Sequence, residues 1–119
     1  MRVLPLAFAL AVSLGSSGVA HAMEVDARSC AVRFRALGNI YSYALNEPAM
    51  YAKSKQYGER AVEVLVKAGT LKAGEALPKD VSDDAAAYVR AWRAGTTADN
   101  VVSAEIRACE LANGYSPIG

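Results

Sequence analysis

Histidine is almost missing from this 119-residue chain: there is one, His21. Cysteine is scarce at two residues, phenylalanine likewise, and tryptophan occurs once. No stretch alternates apolar and polar residues as a half-buried strand would, and no Asn-Gly or Asp-Gly turn sits between apolar runs. Thirteen basic residues nearly balance twelve acidic ones. That balance argues against a nucleic-acid binder driven by net positive charge. Two cysteines are too few for a disulfide-dense miniature scaffold but enough for one bridge. Phosphate-binding, dinucleotide-binding and EF-hand spacings are also missing.

The one long apolar run lies at the N-terminus. Arg2 supplies a short positive region, Val3 to Leu14 is almost uninterrupted apolar sequence, and Ala20-His21-Ala22 places small residues where signal peptidase needs them. This is the layout of a secretory signal peptide over residues 1–22, cleaved after Ala22. The run is too short to span a bilayer comfortably, so no membrane span is expected after cleavage. The chain is then periplasmic or secreted, and its high alanine content points to a bacterial source. Cleavage removes Arg2 and His21, leaving charge balanced and no histidine. Without histidine there is no Ser-His-Asp or Cys-His site, no His-ligated haem and no His-containing zinc site. The usual pH switch near neutrality goes too.

Residues 23–119 read as a single all-helical domain. Asp26 is a good N-cap for a first helix whose Ala27, Cys30, Phe34, Leu37, Tyr41 and Ala44 form one apolar stripe. Asn46-Glu47-Pro48 ends it, and Pro48 suits the first turn of a second helix. Met50, Tyr57, Ala61, Val64, Leu65 and Ala68 make that helix's stripe, with Ser54 the polar interruption and Gly69 the stop. Ser82 reads as the cap of a third helix, with Asp83 and Asp84 at its positive end. Ala85, Tyr88, Val89 and Trp92 are its apolar face, and Gly95 stops it. Thr97 reads as the cap of a fourth helix with Val102, Ile106 and Cys109 on one face. Asn113-Gly114 ends that helix, and Pro117 keeps it from resuming. Four amphipathic helices with mostly short connections predict a small antiparallel bundle.

Cys30 lies one turn into the first helix and Cys109 one turn before the end of the last. In an up-down-up-down bundle those positions share a level and face each other. An exported protein oxidises such a pair, so a Cys30–Cys109 bridge is expected. A redox role fits less well, since active pairs favour Cys-X-X-Cys at an exposed helix start.

Other groupings carry little chemistry. Glu59 and Glu63 share a helix face, but di-iron bundles require Glu-x-x-His, so a solvated face and no metal are expected. Arg33 and Arg35 point to different faces. Tyr41, Tyr57, Tyr88 and Trp92 fall on core stripes. Tyr43 and Tyr51 fall off theirs, beside the first turn, where tyrosine suits a protein interface. The least regular stretch, residues 70–81, offers charge of both signs in Lys72, Glu75 and Lys79 and a stiff apolar tip in Leu77-Pro78. Lys72, Glu75, Leu77 and Lys79, with Tyr43 and Tyr51, are the candidate partner-binding set. A loop that only joins two helices is the competing reading.

The fourth helix and its exit, "IRACELANGYS", and the first helix, "SCAVRFRAL", resemble the helical immunity proteins that neutralise type VI secretion amidases in the periplasm. The resemblance covers those two stretches only. It implies a helical, dimer-forming protein that inserts a loop into an amidase cleft, which here would be residues 70–80. The chain is also similar to the periplasmic acid-stress chaperones, which are small, helical and tied by one disulfide, although their cysteines lie closer together. The expectation is therefore a cofactor-free binding protein rather than an enzyme. Its partner would be another periplasmic protein such as an amidase effector, a homodimer is an open possibility, and a chaperone-like role is the alternative.

Overall fold

Helix α1, Ala27–Tyr41, begins where Asp26 adopts extended backbone and its carboxylate accepts the Ser29 N–H at 2.7 Å. That bond holds the Asp26 carboxyl below its usual range. The structure, a computed structural model, describes residues 25–44 and 47–118. The expected signal segment, residues 1–22, and the expected new N-terminus Met23 lie outside the described residues. A 3-10 turn, Ser42–Ala44, closes α1 earlier than Asn46, where the sequence placed its end.

Helix α2, Pro48–Lys67, has Pro48 in its first turn, where a missing N–H costs nothing. Ala68 caps it and Gly69 turns the chain with φ 81°. Helix α3, Lys79–Arg93, starts three residues before the expected Ser82 cap. Pro78 occupies the N-cap position instead, and Asp80 is the acidic residue of the first turn. Asp83 and Asp84 are thus side-chain partners of Lys79 and Arg28, not a cap. Helix α4, Asp99–Asn113, follows Ala98 rather than Thr97 and ends at Gly114 in the left-handed region, φ 73°.

The described residues form an all-helical bundle of four α-helices closed by one disulfide. Each of the other helices packs on α1. Ser54 and Gly58 of α2 lie beside Gly38 of α1, and Tyr57 beside Phe34, so α1 and α2 run antiparallel. Arg28 meets Asp80 and Asp84 while Arg33 lies over Tyr88, so α3 runs parallel to α1 and directly against it. Cys30–Cys109 and Arg33–Glu105 set α4 antiparallel to α1.

This central position explains a difference from the single stripe read in the sequence. Cys30, Ala31 and Val32 are consecutive and all buried, as are Phe34, Ala36 and Gly38. Leu37 and Tyr41, assigned to the stripe, are only partly buried. A helix covered on several sides needs small residues where neighbours approach closely, and Ala31, Ala36 and Gly38 supply them. Val81, Ala85 and Val89 of α3 and Val102 and Ile106 of α4 complete the core. No helix among the described residues is long and apolar enough to cross a membrane.

Candidate functional site

The α2–α3 connection is a shaped loop. Leu71 and Leu77 are partly buried and pack against the core, one at each end. Between them the Glu75 N–H donates to the Lys72 carbonyl at 3.1 Å, and the Lys72 N–H donates to the Glu75 carboxylate at 2.8 Å. Gly74 takes φ 87°, which a side chain would strain. Two sequence assignments change as a result. Leu77 is an anchor rather than an exposed tip, and Glu75 folds its carboxylate onto its own loop. Lys79 is the first residue of α3 and pairs with Asp83 at 2.7 Å. Of the four loop candidates, Lys72 alone presents an exposed charge that the loop does not already use.

Tyr51 lies elsewhere, at the far end of a groove of about 710 Å³ that runs along the outer face of α2 to Ala73 and Gly74. Gly58, Val62 and Val66 lie along it, with Arg35 of α1, Lys55, Glu59 and Glu63 around it. Tyr43 does not join this groove. Its exposed ring lies under the Arg93 guanidinium at 5.1 Å, in a separate recess of about 560 Å³ shared with Trp92 and Asp99. There the Trp92 indole N–H donates to Asp99 at 2.7 Å. The six candidates therefore fall in three places.

The sequence reading missed the buried charges. Glu110 is 3% exposed. It faces Arg60 at 3.1 Å and Arg107 at 3.5 Å, and it accepts from the Tyr57 hydroxyl at 3.4 Å. Arg60 also donates to the Ser116 carbonyl at 2.7 Å and lies over the Tyr115 ring. Tyr115 meets Phe34 edge-on, donates to Glu63 and lies under the Lys67 ammonium, while Glu63 and Lys67 themselves stay exposed. The segment after α4, expected only to terminate it, straps onto α2. A second cluster joins Arg33, Glu105 and Tyr88, with Tyr88 donating to Glu105.

These clusters hold rather than react. Burial pushes the phenols of Tyr57, Tyr88 and Tyr115 up, and the nearby carboxylates push the same way. Each stays protonated as a donor and is a poor base or nucleophile near neutrality. The Glu105 and Glu110 carboxylates that Tyr88 and Tyr57 face also pair with Arg33 and Arg60, and the Lys67 ammonium lies over the Tyr115 ring. Among the described residues no group of His, Cys, Asp and Glu is arranged to hold a metal ion. Comparison with family models, with curated proteins and with solved structures finds no match.

Proposed function

We propose that this chain acts in the periplasm as a binding protein that blocks another protein, a cell-wall amidase effector being the partner suggested by the resemblance of its first and last helices. The observation that carries the reading is the loop between α2 and α3. Leu71 and Leu77 pin its ends, and the paired bonds between Lys72 and Glu75 fix its turn. A loop already held in one shape loses little freedom on binding, which is how an inhibitor loop gains affinity. It sits on a scaffold crosslinked by Cys30–Cys109, so recognition can vary at the tip without disturbing the core. The chemistry points the same way: buried phenols and carboxylates are engaged with one another, and the cysteines are engaged in the bridge.

The test mixes the oxidised chain with a purified type VI secretion amidase and follows release of peptides from purified cell wall. The reading expects inhibition, relieved by Lys72→Glu, which reverses the exposed charge and leaves the backbone bonds of the turn in place. Undiminished hydrolysis with the wild-type chain refutes the inhibitor role. Inhibition that survives Lys72→Glu moves the contact off the loop.

A further inference from the structure

Gly114 takes the left-handed conformation and the Tyr115 N–H donates to the Glu110 carbonyl at 2.8 Å, so α4 closes and the backbone turns towards α2. Pro117 disfavours a helical Ser116, and residues 115–118 run on without regular structure. The contacts of this segment are those of a bound peptide. The centre of the Tyr115 ring lies 4.4 Å from the Arg60 guanidinium and 5.0 Å from the Lys67 ammonium, and the ring meets Phe34 edge-on at 5.8 Å. One residue on, the Ser116 carbonyl accepts from Arg60 at 2.7 Å. Two further on, Ile118 packs against the core, with its N–H near the Tyr57 hydroxyl. Ser116 and Pro117 face solvent. Side chains are thus held at the first and fourth residues and main-chain groups alongside, as in the recognition of extended peptides.

The receiving surface does not depend on its occupant. Arg60 keeps Glu110 through its other nitrogen, and Tyr57 keeps Glu110 as acceptor and Phe34 and Tyr41 as stacking partners. Withdrawing the tail therefore orphans no buried charge, and orphaned groups are what make such a change costly. Space also remains. A recess of about 210 Å³ beside Ile118 is lined by Gln56, Glu59, Arg60 and Glu63. Among the described residues Glu59 has no ion-pair partner, so the recess favours a basic residue just after an aliphatic one.

We infer that residues 115–118 occupy a binding site for an extended peptide of another protein, with an aromatic residue first, an aliphatic one fourth and a basic one after it. The tail is the resident occupant that such a peptide displaces. The inference stands apart from the loop reading, because it uses the surface shared by α1, α2 and the end of α4.

Fluorescence anisotropy of the labelled peptide Gly-Tyr-Ser-Pro-Ile-Lys tests it on full-length oxidised chains. A short tether holds the tail at an effective concentration of about 1 mM or more, which a free peptide must overcome. The full-length variant Tyr115→Ala with Ile118→Ala removes both tail side chains and keeps the Tyr115 backbone bond to Glu110. It is expected to bind the peptide about tenfold more tightly than the wild type does. Alanine in place of the peptide's tyrosine or isoleucine should abolish that gain, and glycine in place of its lysine should weaken binding about threefold. The wild type gives a second reading that needs no variant. Peptide at about 10 mM should displace the tail and move the Tyr115 ring resonances towards those of an unstructured chain. A folded double variant that binds no better than the wild type overturns the inference. Tyr115 resonances that stay fixed under excess peptide also overturn it, since the tail is then a permanent part of the fold.

Discussion

Helix α1 is held differently on its two flanks. Against α2 it is in close contact: the Ser54 hydroxyl donates to the Gly38 carbonyl at 2.7 Å, and Tyr57 stacks between Phe34 and Tyr41. The ionic group on that side, Arg60 with Glu110, is nearly shut off from water. Against α3, the apolar contact rests on Val81, Ala85 and Val89, and Arg28 binds Asp80 and Asp84 in the open. Helix α4 is tied to α1 by the disulfide and by the largely covered Arg33–Glu105 pair. The same kinds of interaction therefore have unequal weight, because burial decides how much water screens a charge and how costly an unpaired group becomes.

The largest effect should come from the crosslink. Replacing both cysteines with alanine frees a segment with a sequence separation of 79. By chain entropy alone this removes roughly 4 kcal/mol, a large share of the stability of a domain this small. Urea melts of the double variant against the oxidised parent measure it. A loss below about 1 kcal/mol would mean that α4 is held mainly by packing.

Next comes Glu110→Ala, which leaves Arg60 largely buried and short of its carboxylate. A cost of about 3 kcal/mol is expected from breaking a buried pair on one side only. Arg60→Met with Glu110→Leu should recover much of that loss, since two apolar residues leave no orphan charge. Chemical denaturation of the three variants reads the difference.

Gly38→Ala probes the close flank more finely. The added Cβ would lie 2.9 Å from the Ser54 backbone oxygen, so α1 and α2 must separate. The expected cost is about 2 kcal/mol, against the gain that alanine ordinarily brings to a helix. The smallest effect belongs to the open flank. Arg28→Ala should leave the melting temperature near neutrality almost unchanged, because Arg28 and its partners are solvated. Its trace should appear in acid. Hydrogen bonding to Arg28 holds the Asp80 carboxyl below its usual range. A lowered folded value gives stability above the unfolded value that is lost as pH falls through the folded one. The variant should therefore show a shallower decline than the parent from about pH 5 to about pH 2.

Much of the fold was legible because its punctuation is local. Asp26, Pro48, Gly69, Gly95 and Gly114 act within one turn, and each lies at a helix boundary as expected. The cysteines were legible because compartment, count and helix position all pointed one way. The start of α3 was not, since Ser82-Asp83-Asp84 has the composition of a cap while those aspartates serve Lys79 and Arg28 across space. The many-sided burial of α1 was hidden because alanine and glycine carry little periodic signal. Glu110 was hidden because glutamate on a helix is ordinarily a surface residue, and its burial depends on Arg60, fifty residues away. The inward turn of Leu77 and Glu75 was hidden as well, since which loop side chain turns inward depends on the core that Leu71 and Leu77 find.

The Cys30–Cys109 bond also alters how the protein would carry force. Tension applied outside residues 30 and 109 passes straight through the two sulfurs and bypasses α2, the shaped loop and α3 altogether. For the same reason, a protease cut within residues 68–78 would separate no fragment until the bond is reduced. Residues 30–109 are mechanically a closed ring, and the exposed loop lies inside the part of the ring that pulling cannot reach.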